Sequence, residues 1–373
     1  KKLTNSMFSV PLSEQNINKE LNTTTSKSFS KETDLKEINK KKEAIEVLKK
    51  CIKFRNKETT ILEEQTYKNN NLGGIVLITS ELGDFTTIGD MSKMIWELAK
   101  ELVRIGLDVQ VISPYYNKNI NGEYDYLKKH KIEYQQNIDV FASKHYQIGV
   151  HTGIVDGVKC WFLHHPILFS QPYPSGSNSY KFDIMLTLAS ASLDLMFQLF
   201  EKMPRLIVTN DWLTGLIPTL ARVKYGNRFS DSIFMHIIHC LEKGYQGKIY
   251  EQEGEQLPEK IVHEMAPFLP DDYIIDSWDK SIDPSRSALM SSDQWGTISK
   301  TYRSNLLESS PYNYLLVNFP NPFACSTGIN IENRKELIKG MGNQHDTKRY
   351  AQQQYFKLDD IDDNLCLFAF VGN

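Results

Sequence analysis

The feature that most constrains this chain is a continuous apolar, β-branched run, Ile75-Val76-Leu77-Ile78-Thr79, matched by a second one at Val109 to Ser113. A strand without polar alternation is buried on both faces, the condition of a parallel sheet covered by helices. Between the two runs a polar loop, Ser80 to Asp90, leads into Met91, Met94, Ile95, Leu98, Leu102 and Ile105 at helical spacing, and Gly106 stops that helix. Strand, loop, helix, strand is a βαβ unit with a right-handed crossover. The expected fold class is α/β, a Rossmann-like doubly wound parallel sheet.

The alternation continues. Cys160 to Leu163 reads as a strand, Ile184 to Phe200 as a long core helix, Leu206 to Thr209 as a strand and Trp212 to Val223 as a helix. Phe234 to Ile238 and Trp295 to Ile298 are further strands, and Tyr302 to Leu307 begins a helix. Lys243 to Asp293 is expected to be a long irregular excursion, which in a compact domain is more often functional than filler. Leu367 to Val371 reads as one last buried strand, either added to this sheet or opening a further domain.

Upstream of Gly73 the chain obeys other rules. Residues 1 to 70 hold 15 Lys and Arg against 10 Asp and Glu, no Gly and one Pro, so with a total of −3 the remainder carries −8. With few large apolar groups, most of this extension is expected to be tail. One part differs: Leu35, Ile38, Ile45, Leu48 and Ile52 form a helical stripe from about Asp34 to Phe54. That helix could dock on the body, join a partner or a second copy, or remain solvated. The expected division is 1–70 as basic extension, 71–345 as the main α/β domain, and 346–373 as linker and first strand of another domain.

A body at −8 does not suit a polyphosphate backbone, so nucleic acid is not an expected partner. The five cysteines are scattered without a Cys-x-x-Cys pair, which signals neither a disulfide framework nor a zinc site. No stretch of about 20 uncharged apolar residues is present, and the nearest candidate, Ile184 to Phe200, contains Asp194; no membrane span is expected. A reducing compartment follows, the cytoplasm, or a plastid if a transit peptide preceded Lys1.

In doubly wound sheets ligands bind beyond the carboxyl ends of the strands. After the first strand, Ser80 to Asp90 feeds a helix N-terminus able to hold an anion, although it is neither G-x-G-x-x-G nor a Walker loop. The structural alternative is that Asp90 merely caps the helix. After Leu206 to Thr209 comes Asn210-Asp211-Trp212-Leu213-Thr214-Gly215, where a carboxylate and an indole suit a sugar, or else Asp211 caps a helix and Trp212 is core. After Phe234 to Ile238 comes His239-Cys240, then Tyr245-Gln246-Gly247. His236 and His239 face different ways along the strand, so a metal is not expected. His164-His165-Pro166 reads as a hydrogen-bonded loop, and no G-x-S-x-G elbow supports a serine hydrolase.

Taken in order, Ser80 to Met91, Val208 to Leu216, His239-Cys240 with Tyr245-Gln246-Gly247, and Ile298-Ser299-Lys300-Thr301-Tyr302 resemble four motifs of the starch and glycogen synthase family of retaining glycosyltransferases. Those motifs run S-E-x-x-P-F-x-K-x-G-G-L, H-x-H-D-W-x-T-G-L, H-N-x-x-Y-Q-G and V-S-x-x-Y. Gly328-Ile329 and Phe370-Val371-Gly372 resemble two further family segments. The resemblance implies the N-terminal, acceptor-side half of a GT-B fold. It implies transfer of glucose from ADP-glucose or UDP-glucose to the 4-hydroxyl end of an α-1,4-glucan, with retention. The nucleotide sugar is then substrate, and no cofactor or metal is called for.

By the same resemblance His239 lines the donor glucose pocket and Asp211 holds sugar hydroxyls. Glu81, Thr87, Gly89 and Asp90 form the donor-phosphate loop, Glu81 shaping its floor. Trp212, Thr214, Tyr245 and Gln246 are assigned to glucan binding, the last two by positioning their loop. Three departures stand out: Thr87 replaces a Lys that meets the pyrophosphate, Asp90 replaces a Gly, and Cys240 replaces an Asn. Losing a charge-assisted contact to a leaving group costs about 10²–10³ in rate. The expected activity is a synthase whose acceptor half is inactive alone. The alternatives are a catalytically silent glucan-binding or regulatory relative, and a synthase making another linkage.

Overall fold

The computed structural model describes residues 73–83, 85–116, 126–173 and 175–324, then 328, 331, 335–336, 339, 342–357, 362 and 364. The expected helix at 34–54, the turn at Gly328-Ile329 and the strand at 367–371 fall wholly or partly outside them. Two compact units divide at Ser326 and Thr327.

In the first unit the order is β1 (Gly73–Ile78), α1 (Asp90–Arg104), β2 (Val109–Pro114), β3 (Glu133–Phe141), β4 (His145–Val155), β5 (Val158–His164), α2 (Asn178–Leu199) and β6 (Pro204–Asn210). Then come α3 (Leu216–Val223), β7 (Ile233–Ile238), α4 (Pro258–Met265), α5 (Pro284–Ser291), β8 (Gln294–Thr297), α6 (Lys300–Ser309) and β9 (Phe323–Ala324). The strands form one sheet ordered β3-β4-β5-β2-β1-β6-β7-β8-β9. From β5 across to β9 every pairing is parallel, while β3 and β4 add an antiparallel margin. The strand order reverses between β1 and β6, the switch point of a doubly wound sheet.

The antiparallel β3–β4 pair was not expected from sequence. Its strands have one wet face: buried Ile138 and Val140 alternate with exposed Asp139 and Phe141, and buried Tyr146 and Ile148 with exposed His145 and Gln147. The excursion at 243–293 is also more ordered than expected. It holds α4 and α5, and Lys248 pins it by binding Asp276 at 2.6 Å, Asp279 at 2.8 Å and Asp283 at 3.2 Å. Helix α2 is long and apolar enough to pass a membrane-span test by composition, but it is mostly buried in the core on one side of the sheet. Ser177 begins it by accepting the Tyr180 N–H at 3.3 Å.

Helix α1 packs on the opposite side, over β2 and β5. Gly106 ends it at φ +89°, a left-handed conformation that suits glycine. In the second unit α7 (Gln344–Gln354) is capped by Asn343, whose Oδ1 accepts the Asp346 N–H at 2.9 Å.

Candidate functional site

The carboxyl ends of β1, β6 and β7 meet at the switch point and are tied together by one side chain. Asn210, the last residue of β6, donates from Nδ2 to the Ile78 carbonyl at 3.0 Å. That turns its Oδ1 toward His239 Nε2, 3.1 Å away. Because Oδ1 can only accept, Nε2 must carry the hydrogen and Nδ1 is left as the acceptor nitrogen of the neutral ring. Burial pushes the His239 pKa down to about 4, so the ring is neutral at pH 7.

Asp211 continues from Asn210 with φ +56°, a left-handed backbone that is uncommon outside glycine. Its carboxylate accepts the His239 N–H at 2.8 Å and bonds the Cys240 N–H as well. Burial raises its pKa to about 7; these two N–H groups hold it down and the neighbouring Glu81 raises it further. The alternative in which Asp211 caps a helix is therefore corrected. It stands at the cap position of a short 3₁₀ turn, yet its side chain reaches across the sheet to β7 instead.

Glu81 plays the matching part for the first loop. Its Oε2 accepts the N–H groups of Ile88 and Gly89, both at 2.8 Å, while Tyr173 donates its O–H to Oε1. The reading of Asp90 as the cap of α1 is likewise corrected: Asp90 is the first helical residue, exposed, and the cap position is Gly89. No side chain caps this end of α1, and Glu81, seven and eight residues upstream, holds the two N–H groups just before it. Gly89 itself has extended φ −118°, open to any residue, and an added Cβ would find only Glu81 Oε1, at 4.0 Å. Among the described residues no other atom, its chain neighbours apart, lies within 4 Å of that Cβ position. Thr87 is exposed and spends its hydroxyl on the Gly83 carbonyl.

Of the residues assigned to glucan binding, Trp212 and Tyr245 remain accessible. Trp212 is half-buried and lies 6.0 Å from the Tyr173 ring, and Tyr245 is exposed. Thr214 is corrected: it is fully buried, and its hydroxyl donates to the carbonyls of Asn210 at 2.9 Å and Asp211 at 3.1 Å. Its hydroxyl shapes the turn. Gln246 is buried and holds its loop through Leu241 O at 2.8 Å. His236 bonds Thr209 at 2.9 Å within the core. His165 accepts the Leu168 N–H at 3.1 Å, as a loop residue.

Sequence reasoning missed Tyr173, although the Pro-Tyr-Pro setting of an exposed loop was a signal. Its φ of +55° is strained for a tyrosine, and burial first, then the Glu81 charge, push its hydroxyl pKa up. Tyr302 also gains a role. Ser299 caps α6 by accepting the Tyr302 N–H at 3.0 Å, and the Tyr302 hydroxyl accepts the Leu241 N–H at 2.8 Å, bracing the chain just after His239. Among the described residues no group of three or more His, Cys, Asp and Glu is arranged to hold a metal ion.

Fold and site together define an α/β protein whose switch point gathers two carboxyl groups, a neutral imidazole and two aromatic rings. Residues 74–316 match the family model described as starch synthase catalytic domain, and the chain belongs to that glycosyltransferase family. It is similar to glycogen synthase of Clostridium botulinum (strain Alaska E43 / Type E3), 32% identical over 158 residues, covering 40% of this chain and 30% of that one. Glycogen synthase of Caldicellulosiruptor bescii is 24% identical over 240 residues, covering 62% and 46%. The solved catalytic domain of starch synthase IV from Arabidopsis thaliana, bound to ADP and acarbose, matches the fold with a TM-score of 0.55. There the identity is 20%, with 70% of this chain and 53% of that one covered. This chain thus spans about half or less of the length of these relatives.

Proposed function

We propose that this chain is the acceptor-side half of a retaining glucosyltransferase that moves glucose from ADP-glucose or UDP-glucose to the 4-hydroxyl end of an α-1,4-glucan. The observation that carries the reading is the crossed pair of carboxyl groups. Glu81 organises the N–H groups before α1, and Asp211 organises those of His239 and Cys240, so both loops of the crevice are fixed before a ligand arrives. Such preorganisation is what electrostatic catalysis of glycosyl transfer requires.

In this reading the donor glucose lies against His239. A neutral imidazole is suited to the site: its Nδ1 can accept a hydrogen bond, and the ring does not repel the positive charge that develops at the anomeric carbon. Asp211 accepts sugar hydroxyls, and Trp212 and Tyr173 offer ring faces to sugar C–H surface. The donor phosphates approach the open backbone at Gly89. The protein works in the cytoplasm or a plastid, with glucan as its polymeric partner.

A second reading, a catalytically silent glucan-binding or regulatory relative, is favoured by Thr87 and Asp90. At the phosphate loop a hydroxyl already bonded to Gly83 stands in place of a cation, and an exposed carboxylate opens α1. That charge opposes phosphate binding. Incorporation of labelled glucose into glycogen by a version extended with the downstream half decides between them. Activity there supports the first reading. No activity, regained in Thr87→Lys/Asp90→Gly, supports the second. No activity in either version, with no glycogen co-sedimentation, sinks both.

A further inference from the structure

Tyr173 stands in the loop that joins β5 to α2, and its backbone is strained. Its φ of +55° lies in the left-handed region, where a bulky side chain is an outlier. Such conformations persist only where surrounding contacts hold them, and they gather at functional sites. Here the contacts lead into the site itself. The hydroxyl donates to Oε1 of Glu81, and the ring lies 6.0 Å from that of Trp212 at an interplanar angle of 35°. Burial and the Glu81 charge keep the phenol protonated, so it stays a donor.

These are the two groups that a sugar would use. A carboxylate oxygen accepts a sugar hydroxyl, and an indole face packs against sugar C–H surface. Oε2 of Glu81 is committed to the N–H groups of Ile88 and Gly89, both at 2.8 Å. Oε1 is the oxygen left to receive a ligand, and Tyr173 occupies it. Trp212 is itself held in place by Gly247, where a Cβ would come within 2.2 Å of the indole Cδ2. With one O–H and one flat apolar ring, the phenol stands where a sugar unit would offer a hydroxyl and a C–H face.

The tether is slight. Among the described residues, 170–176 makes one internal hydrogen bond, Gln171 Nε2 to Ser175 Oγ at 3.0 Å, and bonds to the rest of the chain only through the Tyr173 hydroxyl. Pro172 is buried and anchors one end of the turn, while Gln171, Ser175 and Gly176 are exposed. We infer that Tyr173 is an internal occupant of the sugar site, resting on Glu81 and Trp212 until a glucan end displaces it, and so sets how tightly that end binds. This rests on the reading of the switch point as a glucosyltransferase site. Displacement leaves the first loop intact, because Glu81 keeps Ile88 and Gly89 through Oε2. The released ring is then free to flank the sugar, and relief of the strained backbone favours its release. A site that is free in only a fraction of molecules binds with an apparent Kd raised by the inverse of that fraction.

Isothermal titration of the full chain with maltoheptaose, a linear α-1,4-glucan, tests this. Tyr173→Gly removes the occupant at a φ where glycine is at ease, and Tyr173→Phe keeps the ring but loses the hydrogen bond. Maltoheptaose should bind on the order of tenfold more tightly to Tyr173→Gly than to the parent, and about threefold more tightly to Tyr173→Phe. A residue that only stiffened the fold, or served as a fixed platform, would give no change or the opposite sign. Affinity unchanged or lowered in both variants therefore overturns the inference and leaves the glucosyltransferase reading standing. Binding by none of the three proteins would overturn both. Near-ultraviolet circular dichroism checks folding, and if Tyr173→Gly is not native, Tyr173→Phe alone decides. Adding Trp212→Ala to Tyr173→Gly should cancel the gain; a gain that survives loss of the indole would put the sugar elsewhere and overturn the inference.

Discussion

Gly247 offers the sharpest check on how the crevice is built. Its φ is +68°, and a Cβ placed on it would lie 2.2 Å from Trp212 Cδ2. Carbon atoms in contact rest about 3.5–4.0 Å apart, so an alanine must push the indole away by more than about 1 Å. Overpacking of this kind costs about 1–3 kcal/mol, and the left-handed backbone adds about 1–2 kcal/mol for any L side chain. Gly244 is the built-in control, with φ +95° and nothing within 4 Å of its would-be Cβ. Gly244→Ala should therefore lose only the backbone component, about 1–2 kcal/mol, against about 2–5 kcal/mol for Gly247→Ala. Urea unfolding followed by tryptophan fluorescence measures both. In the cycle with Trp212→Ala, the excess cost of Gly247→Ala should vanish, because the clash partner is gone. Equal losses for the two glycines, or an excess that survives removal of the indole, would refute the packing argument. Glycogen co-sedimentation adds a functional readout: Gly247→Ala should weaken it and Gly244→Ala should not.

Two further outcomes follow from buried charge. The Asp211 pKa is raised to about 7 in the folded chain from an ordinary carboxylate value near 3.8. Its protonated form therefore contributes stability that is complete below about pH 4 and is lost as pH rises through 7; thermal midpoints across pH 5–8 should fall less steeply in Asp211→Asn. Lys248→Met leaves Asp276, Asp279 and fully buried Asp283 without their shared cation and should cost about 3–5 kcal/mol in denaturant unfolding. A loss under about 1 kcal/mol would mean that water already compensates these carboxylates.

Some of the site was readable one strand end at a time. Glu81, Asp211 and His239 each follow a strand whose apolar run is unmistakable, and the rule that ligands gather beyond those ends singled them out. The roles were less readable. Capping by Asp90 and Asp211 is the local expectation for an acid before a helix; Asp90 instead falls inside α1, and a more distant pairing to His239 displaced it at Asp211. Thr214 sits in a motif that resembles a sugar site, but burial turned its hydroxyl to the backbone. Tyr173 reaches Glu81 across 92 positions of sequence, which no local pattern signals.

The sequence alone determined the βαβ alternation, the parallel sheet and the three loops that carry the crevice, because hydrophobic period and strand-end position are local properties of a chain. Tertiary structure alone decided the switch point between β1 and β6 and the antiparallel β3–β4 margin. It also decided which N–H groups each carboxylate holds and which nitrogen of His239 carries the hydrogen. Those depend on partners far apart in the chain. Packing brings them together and removes the water that would otherwise satisfy them, so their hydrogen bonds and proton affinities exist only in the folded molecule.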